Sequence, residues 1–234
     1  MRCVALLSGG LDSFVAAALA REEHELALAL TCDYGQRAAP RELAAAAAQA
    51  EWLGCPHQVV ELPWLGELGG NALTDPAREL PAPAAGELDC REITEASARA
   101  VWVPNRNGVL ANVAAAFAES LGAEAVLCGF NVEEAATFPD NSREFMAAAE
   151  SLWRFSTAQG MRLLAPTAAL DKPEIVRQAL ARRVPLELVW SCYRGEARPC
   201  WSCESCRRLR RALEQTGAWV EYCRGTGTTL DLEI

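Results

Sequence analysis

Short apolar runs that are typical of buried strands alternate along this chain with longer stretches of helical composition. The pattern predicts strands at 3–7, 25–32, 57–62 and 123–130, and helices at 12–21, 40–53, 108–121 and 142–157. Strands separated by helices need crossover connections, which are right-handed and place parallel strands in one sheet with both faces covered. The sequence therefore predicts an α/β fold with a doubly wound, mainly parallel sheet.

The amino-acid composition and net charge of the chain argue against some classes of function. The chain has 234 residues, 51% of them hydrophobic, and a formal net charge of −9. A protein that follows a nucleic-acid backbone needs a basic field, so the acidic balance predicts no nucleic-acid partner. The chain opens with no charged-then-apolar leader and contains no run of about 18 apolar residues. We therefore expect a cytoplasmic protein without a membrane segment.

The first predicted strand runs into the glycine turn Ser8-Gly9-Gly10-Leu11-Asp12-Ser13 and then into a helix. Glycines let the backbone N–H groups approach a ligand closely, and the N-terminus of the following helix favours an anion. A carboxylate such as that of Asp12 fits a phosphate site if it caps the helix or meets Mg²⁺. An ordinary glycine turn with a capping Asp or Ser is the simpler alternative. The stretch lacks the Walker lysine and is not G-x-G-x-x-G.

A cluster of cysteines near the C-terminus predicts a metal site. Four thiols occur at short spacings, at Cys192, Cys200, Cys203 and Cys206. Four cysteine ligands suit a closed, tetrahedral, structural zinc site, while an iron–sulfur cluster uses the same ligand set. Buried free cysteines are the third alternative. We expect residues 1–185 to form the main domain and 186–234 a small helical zinc-binding module.

Residues 63–89 interrupt the alternation with four of the twelve prolines. A segment of this length predicts either a lid or binding loop, or a disordered insertion. Beyond it, Lys172-Pro173-Glu174 predicts a helix start, and 207–215 predicts a basic helix.

The turn Ser8–Ser13 resembles the S-G-G-x-D-S loop of ATP pyrophosphatases, whose fold is the adenine nucleotide alpha hydrolase type. Further words follow in order: DYGQR at 33–37, VPNRN at 103–107, GFN at 129–131, FPDNSREF at 138–145 and WSCY at 190–193. Together with the cysteines, they resemble the 7-cyano-7-deazaguanine synthase family of queuosine biosynthesis. This resemblance implies that ATP adenylates a carboxylate, ammonia displaces AMP to give an amide, and a second ATP converts the amide to a nitrile.

The resemblance also implies residue roles. The ATP loop would comprise Leu7, Ser8, Gly9, Gly10, Leu11, Asp12 and Ser13, and the catalytic residues Asp12, Arg106 and Lys172. The substrate 7-carboxy-7-deazaguanine would meet Tyr34, Gln36, Arg37, Asn131, Asp140 and Glu144. ATP, Mg and Zn are the implied cofactors, with ammonia as second substrate, and a homodimer is one expected assembly.

The chain departs from the family pattern near the expected substrate pocket, at Ala38, Asn141 and 132–137. A paralogue acting on another acceptor therefore stays open. A tRNA-thiolating ATP pyrophosphatase is a second alternative, although the acidic charge counts against it. A zinc-ribbon binding module is a third. Its nucleic-acid contact would be the arginines of 207–211, which lie on several sides of the predicted helix and are more typical of a solvated surface.

Overall fold

The computed structural model describes residues 1–229 as a layered α/β structure. Its strands are β1 Arg2–Leu6, β2 Glu25–Asp33, β3 His57–Glu61, β4 Ala125–Leu127 and β5 Arg162–Leu164. Its helices are α1 Leu11–Ala20, α2 Ala39–Leu53, α3 Pro63–Glu67, α4 Arg91–Ala100, α5 Arg106–Ser120, α6 Val132–Ala135, α7 Arg143–Ser156, α8 Lys172–Ala181, α9 Glu204–Gln215 and α10 Trp219–Thr226. Short 3-10 turns occur at Ala85–Glu87, Pro139–Asn141 and Leu186–Leu188.

The strands form one sheet in the order β3-β2-β1-β4-β5, and every neighbouring pair is parallel. The predicted doubly wound parallel sheet is confirmed. Strand β5 was missed because it is only three residues long, too short for a periodic signal. Helices α3, α4, α6 and α10 were missed as well.

Alternate residues of β1 enter two separate cores. Cys3 and Ala5 face a core that contains Phe14 and Ile175, whereas Val4 faces one that contains Ala114. This two-sided burial explains why β1 is almost uniformly apolar instead of alternating. The chain leaves β1 toward β2 and β3 on one side and later returns to β4 on the other. The strand order therefore reverses between β1 and β4, which is where open parallel sheets bind ligands.

The C-terminal helices pack onto the main sheet layer. Leu209 and Leu213 of α9 belong to the same buried cluster as Ile175 and Val176 of α8. The division at residue 185 stays a prediction. Within residues 1–229, no helix has both the length and the apolar character needed to cross a membrane.

The segment 63–89 is only partly irregular. Pro63 stands at the first position of the short helix α3, where its missing N–H costs nothing. Leu65 and Leu73 pack with Tyr34 against the end of β2. The segment is therefore anchored beside the carboxyl ends of the strands.

Candidate active site

A cavity of about 300 Å³ opens at the carboxyl ends of β1, β2 and β4. Its lining includes most of the residues proposed from the sequence: Leu7, Ser8, Gly10, Leu11, Asp12, Ser13, Tyr34, Gln36, Arg37, Arg106 and Lys172. Gly9 lies within the same turn. The sheet therefore brings residues from four distant parts of the chain to one site, at the reversal of strand order.

The glycine turn leaves the N-terminus of α1 facing the cavity. Gly9 has φ +79°, a left-handed conformation that favours glycine. Its carbonyl accepts hydrogen bonds from Gln49 Nε2 at 2.7 Å and Trp190 N at 2.9 Å, which fix the turn. Ser8 Oγ and Ser13 Oγ lie 3.0 Å apart. Because Gly10 at the N-cap provides no side-chain acceptor, the first N–H groups of α1 are available to an anion.

The loop after β4 packs directly on this turn. A Cβ atom added at Gly129 would overlap the backbone of Asp12 and Ser13. Only glycine therefore allows the β4 loop and the α1 N-terminus to approach each other so closely. This contact explains the glycine of the GFN word in physical terms.

Asp12 and Lys172 form a buried ion pair on the cavity wall. Lys172 Nζ lies 2.6 Å from Asp12 Oδ2 and 3.3 Å from Glu134 Oε1. The side chains of Lys172 and Asp12 are only 11% and 15% exposed. Lys172 is the only lysine of the chain, in which every other Lys or Arg position is arginine. A compact ammonium in this position is thus a specific feature and not one of many surface cations.

Burial and the mutual attraction of the charges act against each other on the pKa values of this cluster. Desolvation raises the pKa of Asp12 to about 6, although Lys172 opposes the shift. Burial alone would also raise the pKa of Glu134, but the Lys172 ammonium keeps it below its ordinary value. The two carboxylates in turn hold the pKa of Lys172 above its usual range against burial. Asp12 Oδ1 is buried and has no hydrogen-bond partner within residues 1–229, so a hard cation such as Mg²⁺ fits there.

Arg106 is a buried cation of a different kind. Among residues 1–229 its guanidinium makes no ion pair, and its Nε donates to Asn107 Oδ1 at 3.2 Å. Burial disfavours its charge, but Tyr34, Asp140 and Glu134 together keep its pKa above the ordinary value. The preceding Asn105 has φ +51°, a strained conformation that turns the chain into α5. A guanidinium held in this way, facing a cavity, is suited to bind a carboxylate or phosphate.

The side chains of Gln36 and Arg37 mainly form hydrogen bonds within the protein. Gln36 Oε1 accepts the Tyr34 N–H at 2.9 Å, and Gln36 Nε2 donates to Glu42 Oε2 at 2.9 Å. Arg37 NH1 donates to the carbonyls of Ala72 and Arg78 in the segment 63–89. Both residues line the cavity, but these contacts already use part of their hydrogen-bonding capacity.

Three proposed substrate residues do not line the cavity. The Asn131 side chain caps α6 by accepting the Glu134 N–H at 2.9 Å, which is an N-cap role. Asp140 is half-buried, and burial raises its pKa. Glu144 is exposed in the first turn of α7, where a carboxylate favours the helix N-terminus. Their roles in substrate binding stay predictions.

Several cavity residues were missed by the sequence analysis. Glu133, Glu134, Glu204 and Arg208 all line the site. The interpretation of the α9 arginines as a solvated surface is wrong for Arg208, whose side chain is 13% exposed and paired with Glu133 at 3.1 Å. The departure from the family pattern at 132–137 was a signal for Glu133 and Glu134, but it does not extend to Glu204 and Arg208.

The four cysteines converge as predicted. The Sγ atoms of Cys192, Cys200, Cys203 and Cys206 all lie within 4.8 Å of one another. Backbone N–H groups of Arg194 and Cys200 point at Cys192 Sγ, which is typical of thiolate ligands. The thiols share hydrogen bonds that lower the pKa of Cys192 and Cys200 and raise that of Cys203 and Cys206. The donor set suits one metal centre with four sulfur ligands.

Other thiols play a different part. Cys32 and Cys128 also line the cavity, and burial raises their pKa values to about 11 and about 12. Both are therefore neutral near pH 7 and act as small apolar groups in the wall.

Known proteins match this chain over nearly its whole length. The chain is 51% identical over 217 residues to a protein of Desulforamulus reducens named 7-cyano-7-deazaguanine synthase, which covers 93% of this chain and 95% of the relative. It is 52% identical over 217 residues to a protein of the same name from Desulforudis audaxviator, covering 93% and 98%.

A solved 4-thiouridine synthetase–RNA complex with bound ATP has 18% identity and a TM-score of 0.50, covering 97% of this chain and 53% of that chain. That likeness concerns the fold alone. Residues 2–217 match the family described as "Queuosine biosynthesis protein QueC". Since this match and the identity to both named relatives span more than nine-tenths of the sequence, the chain belongs to the QueC family.

Proposed function

We propose that this protein is an ATP-dependent ligase that converts 7-carboxy-7-deazaguanine and ammonia to 7-cyano-7-deazaguanine. The observation that carries the proposal is the pairing of Asp12 with Lys172 beside an open α1 N-terminus, in the same cavity as Arg106. Family membership names the reaction, and the cavity supplies the groups that it needs. The named relatives favour this reaction over tRNA thiolation or a binding module.

Each half of the reaction attaches an AMP group to a poor leaving oxygen, which then departs as part of AMP. A carboxylate oxygen attacks the α-phosphorus of ATP and pyrophosphate leaves; ammonia then attacks the carbonyl carbon and AMP departs with that oxygen. The amide oxygen attacks a second ATP in the same way, and loss of AMP and a proton leaves the nitrile. The protein has to bind departing phosphates and keep water from the adenylate.

The cavity residues divide this work. The N–H groups of the glycine turn and α1 bind the pyrophosphate portion, and Lys172 neutralises charge on the phosphates. Asp12 would hold Mg²⁺ through Oδ1, and the ion would shield the phosphate charges. Arg106 binds the substrate carboxylate, because its guanidinium has no direct anionic partner in the part of the chain that the structure describes. Tyr34 and Phe138 line the cavity near it and exclude water.

The metal at the four cysteines is zinc in this proposal, and its role is structural because four protein ligands leave no open position. Metal analysis with an absorption spectrum tests this, since an iron–sulfur cluster is coloured and zinc is not. We also propose a cytoplasmic location, supported by the lack of a run of about 18 apolar residues in the sequence, and no nucleic-acid partner, supported by the net charge of −9. A homodimer is supported by Leu152 and by Phe155, which is 91% exposed on α7. Sedimentation of the purified protein tests that assembly.

The product assay is the test of the proposed reaction. Purified protein is incubated with ATP, Mg²⁺, ammonium and 7-carboxy-7-deazaguanine, and nitrile is read by mass spectrometry and nucleotides by chromatography. Nitrile together with AMP is expected. AMP that forms without dependence on this acid would retain the ATP site and reject the acceptor.

A further inference from the structure

The carboxylate of Glu133 joins two helices that meet at the cavity. Its Oε1 accepts the backbone N–H of Lys172, the first residue of α8, at 2.9 Å. Its Oε2 accepts from Arg208 NH1 of α9 at 3.1 Å. The Glu133 side chain is mostly buried, so neither contact is readily replaced by water.

Arg208 is held from two further directions. Its NH2 group lies 2.9 Å from Glu204 Oε1 and donates to the Leu88 carbonyl at 3.1 Å. The helix that carries it begins beside two metal ligands, because Cys203 is the N-cap of α9 and Cys206 lies in its first turn. The four-cysteine centre therefore fixes the end of the helix from which Arg208 reaches Glu133.

The other end of the chain of contacts is the catalytic pair. Lys172 is fixed through its backbone by Glu133, and its ammonium reaches Asp12 at 2.6 Å. The first residue of α6 is further tied to the segment just before α8, because the Val132 N–H donates to the Leu170 carbonyl at 3.1 Å. The contacts run without a gap from the cysteines through Arg208 and Glu133 to Lys172.

We propose that Glu133, clamped by Arg208 of the metal-bearing helix, is a positioning residue that sets Lys172 against Asp12. In this arrangement the metal centre stabilises the geometry of the phosphate site without touching a substrate. This inference rests on the proposed function only in its predictions about the rate of the reaction. The contacts themselves can be tested without any turnover.

Glutamine at position 133 keeps a carbonyl oxygen but presents an NH2 group to one of its two neighbours, both of which are donors. Glu133→Gln therefore loses either the Lys172 N–H or Arg208. Arg208→Met removes the closer clamp and leaves Glu133 Oε2 only the more distant Arg211 NH2, at 3.6 Å. The matched controls are Glu22→Gln and Arg182→Met, because Arg182 Nε pairs with Glu22 Oε1 at 2.8 Å at the opposite end of α8.

Because Lys172 is the only lysine, its amine can be followed directly. Each variant is treated with an N-hydroxysuccinimide ester of acetic acid, and acetylation of Lys172 is timed by mass spectrometry against the α-amino group. We expect about tenfold faster acetylation in Glu133→Gln and Arg208→Met, and rates like the wild type in the two controls. Arg208→Met separates geometry from charge, since removing a cation raises the pKa of a nearby amine and by itself slows acetylation.

Steady-state kinetics provide the second readout. Metal content and melting temperature are measured first, and kcat is expressed per metal-loaded molecule. We expect kcat to fall about 10–100-fold in either site variant, with KM for ATP changed less than about threefold. The double variant is expected to be no worse than the poorer single variant, because both break the same link.

The outcomes separate this inference from the proposed function. Wild-type acetylation rates in both site variants, or kcat effects that multiply in the double variant, overturn the positioning role. A fall in activity that only follows lost metal or lost folded protein overturns it as well. If the wild type forms no nitrile while acetylation behaves as expected, the reaction is wrong and the positioning of Lys172 is retained.

Discussion

Asp12→Asn is expected to make the protein more stable and less active at the same time. Burial raises the pKa of Asp12 from 3.8 to about 6 in the folded protein. A carboxyl with a raised folded-state pKa binds its proton more tightly when folded than when unfolded. Its contribution to stability is thus fully present below pH 3.8 and is lost as pH rises through about 6.

The magnitude follows from the two pKa values. A difference of about 2 corresponds to about 3 kcal/mol of stability lost on ionisation. Asparagine resembles the protonated carboxyl, so it recovers up to about 3 kcal/mol at pH 8. For a chain of this size each kcal/mol moves the melting temperature by about 2–4 °C, which gives a rise of up to about 10 °C. Lys172 retains an ionic partner in the variant, because Glu134 is 3.3 Å away.

The assay is thermal unfolding followed by circular dichroism at pH 8 and at pH 5, because a lower pH would protonate the cysteine ligands and release the metal. The full rise in melting temperature is expected at pH 8 and should shrink to about half at pH 5. Nitrile formation by the same variant should fall at least about 100-fold, because the carboxylate that holds the cation is gone. A variant less stable than the wild type at pH 8 would refute the reasoning, since the buried pair would then stabilise the fold on balance.

Three further predictions concern other parts of the site. Arg106→Lys should lower kcat/KM for the acid about 100-fold while KM for ATP stays similar, because an ammonium cannot form the paired hydrogen bonds of a guanidinium; equal effects on both substrates would contradict this assignment. Gly129→Ala should raise KM for ATP at least tenfold, about 1.4 kcal/mol, by displacing the backbone of Ser13, as measured by ATP titration, and an unchanged KM would show that the close contact is not needed. Cys203→Ser should release the metal and lower the melting temperature and kcat together, read by metal analysis and melting curves, whereas full activity without metal would reject a structural role.

The strands and the glycine turn could be predicted from the sequence because each is set by residues close together in the chain. Neighbouring residues determine strand β1, the turn at Gly9 and the start of α1. The short spacing of the four cysteines likewise indicates a metal site. The hydrogen-bond and ion-pair partners of Lys172 could not be predicted from neighbouring residues. Glu134 is 38 positions away in the chain, and Arg208 reaches Glu133 over 75 positions. Such contacts depend on how α6, α8 and α9 pack together.

Asn131 and Glu144 illustrate the opposite difficulty. A polar residue in a familiar word can bind a ligand or cap a helix, and sequence alone does not distinguish these uses. In the structure the Asn131 side chain caps α6 and Glu144 lies exposed at the start of α7. Arg208 shows the converse, because its place on a short basic helix resembles a solvated surface until the packing of α9 is known.

The central claim is that oxygen leaves the substrate on the α-phosphate of ATP, beside the glycine turn and Lys172. It is tested most directly with 7-carboxy-7-deazaguanine that carries ¹⁸O in both carboxylate oxygens. After complete conversion with ammonium, mass spectrometry of the nucleotides should find one ¹⁸O in each AMP and none in pyrophosphate. Label in inorganic phosphate or in water, with ADP as the nucleotide product, would contradict adenylation and with it the assigned role of the site.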